Sequence, residues 1–310
     1  MEALVLKPYN GGAVAVEVVP LPQPGRRQIV VRVQAVALNP VDVMNVDRPM
    51  AAQELRTIGS DFAGVVARIG SDLADASDPR AKVGARVAGF VQGANSVNER
   101  PGAFAEYLIT DYDLTWLISA SLPIESAASV TLCALTAAQG LFYRLRFPCP
   151  FFTSRSEEKT QKADPTNVLI NGAAGQVAHF AAQLVHLAAR GLSEKINLIG
   201  VASTSKHTTL RQPPYSYNIL VDYQDKDWTN EVKRATGGQG VHYGIDAASV
   251  GSSVASVEAT LSAGGKFAAF RSPQAGGFDV SGLDVKPVIG VVWEGLGADI
   301  EYHGKLLLTS

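Results

Sequence analysis

Cysteine and histidine are scarce in this sequence. There are 2 cysteines and 5 histidines among 310 residues, so a disulfide framework and a four-cysteine zinc lobe are excluded by number alone. Residues 1–120 contain neither residue type. Because zinc in proteins is held mainly by cysteine and histidine, we expect no metal site in this part of the chain.

A charge surplus of one sign and long apolar runs are also missing. The 27 Lys and Arg residues face 29 Asp and Glu residues, a net charge of −2, which leaves no basic surplus for nucleic-acid phosphates. No apolar run reaches the ~18 residues that a membrane span needs. Met1 is followed by Glu2 and a strand-like run instead of a basic and then apolar leader. We therefore expect a cytoplasmic protein that binds neither nucleic acid nor membrane.

The composition, 46% hydrophobic and 18% charged, is that of a globular protein with a core. At roughly 150 residues per domain, the length predicts two domains. In residues 1–120, short Val- and Ala-rich runs separated by glycine are typical of a small β-barrel, which we interpret as the catalytic or substrate domain. The predicted strands are Ala3–Leu6, Val14–Val19, Ile29–Val36, Asp61–Ile69, Arg86–Val91 and Ala103–Ile109.

Residues 121–310 follow a different pattern. They predict an alanine-rich helix over Ile124–Tyr143 and then a charged, exposed loop over Phe147–Thr166. Beyond the loop, apolar strands alternate with helices, which is typical of a parallel, doubly wound α/β sheet. Its edge strand is predicted within Val288–Gly297, and an open edge allows a homodimer as well as a monomer. The predicted strands are Asn167–Ile170, Ile196–Val201, Ile219–Val221, Gly244–Asp246, Lys266–Phe270 and Val288–Val292.

A turn of small residues follows the first strand of this second domain. The stretch Gly172-Ala173-Ala174-Gly175-Gln176-Val177 lies between a buried strand and a helix. It reads Gly-x-x-Gly-x-x-Ala instead of the stricter G-x-G-x-x-G. Small residues leave the N–H groups and the positive dipole end of a helix open to a diphosphate. We interpret the turn as a dinucleotide site; the alternative is a tight strand–helix turn without a ligand.

The residues after strand Ile196–Val201 indicate which dinucleotide is preferred. Enzymes that use NAD usually place an acid here to accept from the ribose 2′-hydroxyl. This chain has Ser203, Ser205 and Lys206 and no acid in the stretch. Hydroxyls and a cation suit a 2′-phosphate, which favours NADPH. The alternative is a polar loop that happens to contain one lysine.

One helix face after the glycine turn carries polar residues at steps of four, three and four. They are His179, Gln183, His186 and Arg190. Amphipathic helices need a polar stripe, so we interpret this face as solvent-exposed. The alternative is that the two histidines bind a metal.

Several stretches resemble a known family. The matching stretches are Ala37-Leu38-Asn39-Pro40-Val41-Asp42, Gly59-Ser60-Asp61-Phe62-Ala63-Gly64-Val65-Val66, Gly84-Ala85-Arg86-Val87-Ala88-Gly89-Phe90, Arg100-Pro101-Gly102-Ala103-Phe104-Ala105-Glu106-Tyr107 and Leu135-Thr136-Ala137-Ala138. From about Ala3 to His303 the chain resembles the medium-chain dehydrogenase/reductases of the zinc-free quinone-oxidoreductase branch. Within that branch it is most similar to the fungal trans-acting enoyl reductases that partner polyketide synthases.

The resemblance implies a GroES-like β-barrel domain followed by a Rossmann domain that binds NADPH. It also assigns site residues. The implied catalytic residues are Asn39, Asp42 and Thr136, and the implied diphosphate residues are Gly172, Ala173, Ala174, Gly175, Gln176 and Val177. The implied contacts to the 2′-phosphate, adenosine and the rest of the cofactor are Ser203, Ser205, Lys206, Tyr223, Asp246 and Phe270. Three of these have plain alternatives: Asn39 sets a turn before Pro40, Thr136 packs within its helix, and Asp246 bonds a neighbouring loop.

The implied activity is NADPH-dependent reduction of an α,β-unsaturated thioester, acting in trans with a fungal polyketide synthase on a polyketide or carrier-bound enoyl substrate. Such a reductase without metal needs hydrogen-bond donors for the developing enolate. The Asn39 amide and the Thr136 hydroxyl have that chemistry. Tyr107 and Tyr302 are candidate proton donors by residue type only.

Two departures from the family keep other functions open. Met44 stands where reductases of the fungal branch often have lysine, and methionine donates no hydrogen bond. The C-terminal return segment that completes the first domain in the family is expected to be missing. The rival hypotheses are a quinone or free-enone reductase, and a reductase fold that has lost hydride transfer and acts as a cyclase, isomerase or non-catalytic partner. A poorly folding truncated product is the remaining alternative.

Overall fold

A computed structural model describes most of the chain, which forms two compact units. The described residues are 1–7, 13–47, 56–94, 101–151, 164–297, and the backbone of 300–302 and 305–307. The first unit comprises residues 1–132 and 293–310, and the second comprises residues 133–292. The sequence predicts a boundary at residue 120, whereas the contacts place it after Leu132. The reason is that helix α2, Ile124–Ala128, packs on the sheet of the first unit.

Two antiparallel sheets build the first unit. The larger has the order β7-β3-β5-β6-β8 and the smaller the order β2-β1-β4. The strands are β1 Glu2–Lys7, β2 Ala13–Val18, β3 Gln28–Ala37, β4 Arg56–Thr57, β5 Asp61–Ile69, β6 Arg86–Phe90, β7 Tyr107–Asp111 and β8 Thr115–Leu117. Phe62, Val66 and Leu108 are buried in the core on one side of the larger sheet. Ala63 and Ala88 pack against Ala127 and Ala128 of α2 on the other.

One strand of this unit lies later in the chain than the sequence predicts. The expected strand Ala103–Ile109 is replaced by β7, which begins at Tyr107. The preceding residues bond at the smaller sheet instead: Gly102 N–H donates to the Thr57 carbonyl of β4, Phe104 N–H donates to the Ile58 carbonyl just after β4, and Leu4 N–H of β1 donates to the Phe104 carbonyl. Backbone groups that are satisfied in this way are not available to a ladder.

The helix predicted over Ile124–Tyr143 is broken into three pieces. Helix α2 ends at Ala128, and the Ser129 and Val130 N–H groups turn back to the Ser126 and Ala127 carbonyls. Helix α3 then spans Thr131–Ala138, and a π-helical turn follows over Gln139–Arg144. The first unit also has a helix α1, Pro40–Asp47, that was not expected from the sequence.

The second unit is a six-stranded parallel sheet with helices. The strand order is β11-β10-β9-β12-β13-β14, which is the doubly wound Rossmann order. The strands are β9 Thr166–Asn171, β10 Ile196–Val201, β11 Ile219–Val221, β12 Val241–Asp246, β13 Leu261–Ala269 and β14 Val288–Ile289. The helices are α4 Gln176–Leu192, α5 Thr204–Leu210, α6 Trp228–Ala235, α7 Ser253–Glu258 and α8 Pro273–Gly276. The predicted α/β class and parallel sheet are confirmed.

The core of this unit lies on both faces of the sheet. Along β9, Val168 and Ile170 belong to one buried cluster, and Leu169 belongs to the other. A parallel strand covered on both faces needs a continuous apolar run. That requirement explains why β9 and β10 were predicted within a residue or two of their observed ends.

The predicted edge strand over Val288–Gly297 is wrong in length. Only Val288 and Ile289 pair with β13, and Val292–Leu296 forms a 3₁₀ helix. The chain leaves the sheet at Gly290, where a Cβ atom would lie 2.9 Å from the Phe270 ring. Beyond it, two backbone strands pair antiparallel, β15 Ile300–Tyr302 with β16 Lys305–Leu307. Of the predicted charged loop, residues 152–163 lie outside the described part of the chain.

Among the residues that the structure describes, no helix is both long and apolar enough to span a bilayer.

Candidate functional site

The glycine turn joins β9 to α4. Gly172 has φ +73°, a left-handed conformation that favours glycine. A Cβ atom at Gly172 would lie 3.2 Å from the Ala248 backbone nitrogen. The turn is tied down by the Ala173 N–H, which donates to the Val201 carbonyl of β10. The predicted strand–turn–helix context is therefore present.

The helix that follows the turn starts without a side-chain cap. Gly175 is the N-cap residue of α4, and no side chain accepts a hydrogen bond from the first turn. Ala174, Gly175 and Gln176 are exposed. A 17-residue helix that leaves its first N–H groups and positive dipole end open can hold an anion. The turn fits the diphosphate of a dinucleotide, and the six residues assigned to it from the sequence all lie here. The contacts themselves remain a prediction.

The residues assigned to a 2′-phosphate cluster at the start of α5. Ser203 is its N-cap residue, and the hydroxyls of Ser203 and Ser205 are 3.3 Å apart. Lys206 is exposed, as is Tyr223, which follows β11 at the same edge of the sheet with 56% of its surface exposed. The carboxyl ends of parallel strands form the ligand-binding edge of such folds. The exposed Lys206 ammonium can therefore reach a phosphate group at this edge of the sheet.

Sequence reasoning missed an acid beside these residues. Asp222, at the end of β11, accepts hydrogen bonds from the Thr204 hydroxyl and backbone N–H and from the Gln224 N–H. These bonds, from the Thr204 hydroxyl above all, lower the pKa of Asp222. The sequence has no acid directly after β10, and this carboxylate instead follows the neighbouring strand β11. Its signal was available, because neighbouring parallel strands end at a common edge.

Asp246 is fully buried, and its oxygens accept from the loop that follows it, from α7 and from Asn171 of the neighbouring strand β9. Its carboxylate accepts from Asn171 Nδ2 at 2.9 Å, from the Ser249 N–H at 2.9 Å and from the Ser253 hydroxyl at 2.7 Å. Its backbone carbonyl accepts from the Ser249 hydroxyl. The plain alternative, a residue that holds its neighbouring loop, describes these contacts. We therefore expect Asp246 to affect a cofactor by shaping that loop.

Phe270 fits between two glycines of the second unit. A Cβ atom at Gly140 would lie 2.6 Å from the Phe270 ring, and one at Gly290 would lie 2.9 Å from it. Gly140 lies in the π-helical turn, and π turns are frequent at functional sites. The ring is partly exposed. The Phe270 ring, just after β13, therefore occupies space that side chains at positions 140 and 290 would fill.

Thr136 is buried on α3, with 9% of its surface exposed. Its burial accords with packing within the helix, and its catalytic role stays a prediction.

In the first unit, Asn39 and Asp42 form the start of α1. Asn39 precedes Pro40, the first helical residue, and the Asp42 carboxylate accepts from the Asn39 backbone N–H at 2.8 Å. This is one half of a capping box. The other Asp42 oxygen accepts from the Ser60 hydroxyl at 2.7 Å. The turn that the sequence offered as the plain alternative for Asn39 is thus present, and it involves a second predicted site residue.

A further carboxylate, Asp61, was not among the predicted site residues. It is the first residue of β5, and its side chain accepts from Asn39 Nδ2 at 2.9 Å and from the Leu132 N–H at 3.0 Å. Burial, above all, raises the pKa of Asp61 from its ordinary 3.8 to about 7, and the charge of Asp42 adds to the rise. Burial also raises the pKa of Asp42. The sequence signal for Asp61 was the motif Gly59-Ser60-Asp61. The motif does not show which residues the Asp61 carboxylate contacts.

The remaining candidates are placed as follows. His179 stacks on the Tyr215 ring at 4.3 Å, and His186 Nε2 lies 2.9 Å from the Tyr215 carbonyl oxygen. On the polar face of α4, Arg190 is exposed as expected, whereas His179, Gln183 and His186 are partly covered. No group of three or more potential metal ligands occurs in the described ranges. Tyr107 is half-buried, and the side chain of Tyr302 lies outside the described residues.

Comparison with known proteins points to one family. Residues 25–120 match the alcohol dehydrogenase GroES-like domain family. Trans-enoyl reductase traG of Penicillium crustosum is 32% identical over 228 residues, which are 74% of this chain and 58% of that protein. Trans-enoyl reductase caaB of Aspergillus niger is 32% identical over 206 residues, which are 66% of this chain and 52% of that protein. The chain spans little more than half the length of these curated relatives.

Solved structures share the fold over nearly the whole chain. CurK enoyl reductase has a TM-score of 0.73 and 18% identity, covering 96% of this chain and 82% of that chain. The chain has the fold of the medium-chain dehydrogenase/reductases. A mycobacterial protein solved in complex with NADPH has a TM-score of 0.66 and 24% identity, covering 95% of this chain and 83% of that chain. The expected GroES-like domain and Rossmann sheet are confirmed.

Proposed function

We propose that this protein is a medium-chain dehydrogenase/reductase and, within that family, an NADPH-dependent enoyl reductase that acts in trans with a fungal polyketide synthase on a carrier-bound, α,β-unsaturated thioester. The observation that carries the proposal is the uncapped start of α4 behind Gly172, in a chain similar to fungal trans-enoyl reductases. The bound cofactor would supply the hydride. The protein would bind, orient and stabilise the reacting groups.

Different residues would bind different parts of the cofactor. The backbone of Gly172–Val177 would hold the diphosphate, because Ala174, Gly175 and Gln176 are exposed and the start of α4 has no side-chain cap. Ser205 and Lys206 would hold the 2′-phosphate. Asp222 opposes a phosphate by its charge, but the donors of Thr204 and Gln224 already use its oxygens. The proposed preference for NADPH therefore rests on Lys206.

The catalytic residues would act on the thioester carbonyl. Negative charge develops on its oxygen during the reaction, and preorganised donors stabilise such charge. The Asn39 amide and the Thr136 hydroxyl are the proposed donors. Two exposed apolar side chains flank the Asn39 turn: Leu38 is 82% exposed and Val43 is 61% exposed. They suit an acyl chain better than a small polar substrate.

The test measures absorbance of NADPH with a crotonyl thioester and, separately, with a small quinone. Product mass is recorded in parallel. We expect NADPH consumption with the thioester and a product heavier by two hydrogens. The matched control is Gly172→Ala, which we expect to weaken cofactor binding. Faster turnover of the quinone would favour a quinone reductase. A converted product of unchanged mass, formed without NADPH consumption, would favour a cyclase or isomerase.

A further inference from the structure

The segment that joins β10 to α5 is fastened to the end of β11 at alternate residues. The Ala202 N–H donates to the Val221 carbonyl at 3.0 Å. Two positions further on, the Thr204 N–H donates to Asp222 Oδ2 at 3.0 Å, and the Thr204 hydroxyl donates to the same oxygen. Asp222 therefore ties the first residue of α5 to the neighbouring strand.

The second oxygen of Asp222 keeps the carboxylate in this orientation. Asp222 Oδ1 accepts from the Gln224 N–H at 2.9 Å, which leaves Oδ2 for Thr204. Ser203 is the N-cap residue of α5, but its hydroxyl accepts no bond from the first turn and lies 3.3 Å from the Ser205 hydroxyl. An acid 18 positions after Thr204 thus takes the place of the usual N-cap side chain.

Ser205 and Lys206, the residues proposed to hold the 2′-phosphate, follow directly after this anchored residue. Both are exposed. The Lys206 N–H donates to the Ser203 carbonyl at 2.9 Å, which closes the first turn of α5 around Thr204. Within the described ranges Lys206 has no ion pair. The placement of both side chains therefore depends on the Thr204 backbone, and the charge of Lys206 is available to an anion.

We propose that Asp222 is a positioning residue for the 2′-phosphate, because it fixes the start of α5 with Ser205 and Lys206 already in place. The inference rests on the proposed function, which puts the cofactor at this edge of the sheet. A segment that is ordered before binding loses less conformational entropy when the ligand binds. The phosphate contacts are side chains and do not depend on the end of α5, which has only 7 residues.

The charge of Asp222 acts in the opposite direction, since a carboxylate repels a nearby phosphate. Two substitutions separate the anchor from the charge. Asp222→Asn removes the charge but keeps an oxygen that can accept from both donors of Thr204. Asp222→Ala removes the charge and the acceptor together. If anchoring outweighs repulsion, only Asp222→Ala weakens the binding of the 2′-phosphate. If repulsion outweighs anchoring, both variants strengthen it.

Calorimetry with NADPH and with NADH tests the proposal, because the two cofactors differ only in the 2′-phosphate. We expect Asp222→Ala to weaken the binding of NADPH about tenfold and to leave NADH within about twofold, as for a lost hydrogen bond to a charged group that orders the site. Asp222→Asn should bind NADPH at least as tightly as the wild type. Asp225→Ala is the matched control: this acid of the same loop accepts from the Asp227 N–H at 2.8 Å, and its loss should leave the ratio of the two affinities unchanged.

Equal weakening of NADPH and NADH in Asp222→Ala would overturn the proposal, and so would tighter binding of NADPH in both variants. A second measurement needs no cofactor. The Thr204 amide should exchange with deuterium about tenfold faster in Asp222→Ala than in the wild type, because its acceptor is gone. An unchanged exchange rate would show that Asp222 does not hold α5. Proteins that behave as expected in both measurements but reduce no enoyl thioester would overturn the proposed function and leave this inference standing.

Discussion

The buried Asp61 carboxylate should make the folded protein less stable as pH rises. Its pKa is raised by burial from 3.8 to about 7. Between these values the folded state binds more protons than the unfolded state, so the free energy of unfolding falls with pH. The stabilisation is fully present below pH 4 and lost as pH rises through 7. Each pH unit below the folded pKa corresponds to about 1.4 kcal/mol, and the loss levels off above that pKa of about 7, so the interval from pH 5 to pH 8 amounts to about 3 kcal/mol from this group.

Asp61→Asn removes this titration and keeps the size of the side chain. Urea unfolding of both proteins at pH 5 and pH 8 gives four free energies. The wild-type loss between the two pH values should exceed the loss of the variant by about 3 kcal/mol. Any constant penalty from altered hydrogen bonds cancels in this double difference. Asp279→Asn is the control: the Ser281 hydroxyl lowers the pKa of this exposed acid, and no comparable difference is expected. Equal losses in wild type and Asp61→Asn would refute the reasoning.

Three further substitutions test the second unit. Gly172→Ala should weaken NADPH binding at least tenfold in calorimetry. The reason is that φ is +73° at this position, and an alanine in the left-handed conformation costs about 1–2 kcal/mol even without its contact with Ala248. Unchanged affinity would contradict the placement of the diphosphate. Lys206→Gln should weaken the binding of NADPH about tenfold and leave the binding of NADH unchanged, since a charge-assisted hydrogen bond contributes about 1.5–3 kcal/mol. Equal effects on the affinity for both cofactors would argue against a 2′-phosphate contact. Gly140→Ala should lower the melting temperature, because its Cβ would lie 2.6 Å from the Phe270 ring and overpacking costs about 1–3 kcal/mol. A melting temperature equal to that of the wild type would show that the ring moves freely.

Some of the fold and site could be predicted because the information is local. Strands β9, β10 and β11 are continuous apolar runs between turn residues, so their ends follow from composition. The helix break after Ala128 and the short β14 could not be predicted in this way. They depend on contacts with distant parts of the chain, such as α2 on the first sheet and Gly290 at the Phe270 ring.

The site residues divide in the same way. The glycine turn was found because its spacing and its neighbours are consecutive in the chain. Asp222 was missed because its partner Thr204 lies on the preceding strand–helix unit, 18 positions away. Asp61 stands out in the sequence only as part of the motif Gly59-Ser60-Asp61, because nothing in its local pattern shows whether it is buried.

The sequence by itself determined the class of this protein: a chain without Cys or His in its first 120 residues, a parallel sheet and a turn suited to a dinucleotide. These features follow from residue type and period, which do not depend on distant neighbours. Tertiary structure alone decided that Asn39 and Asp61, 22 positions apart, share a hydrogen bond, and that the Leu132 N–H, 71 positions further on, completes it. Burial and the resulting rise in the pKa of Asp61 exist only when these segments pack together, because removing water from a carboxylate takes the whole surrounding core.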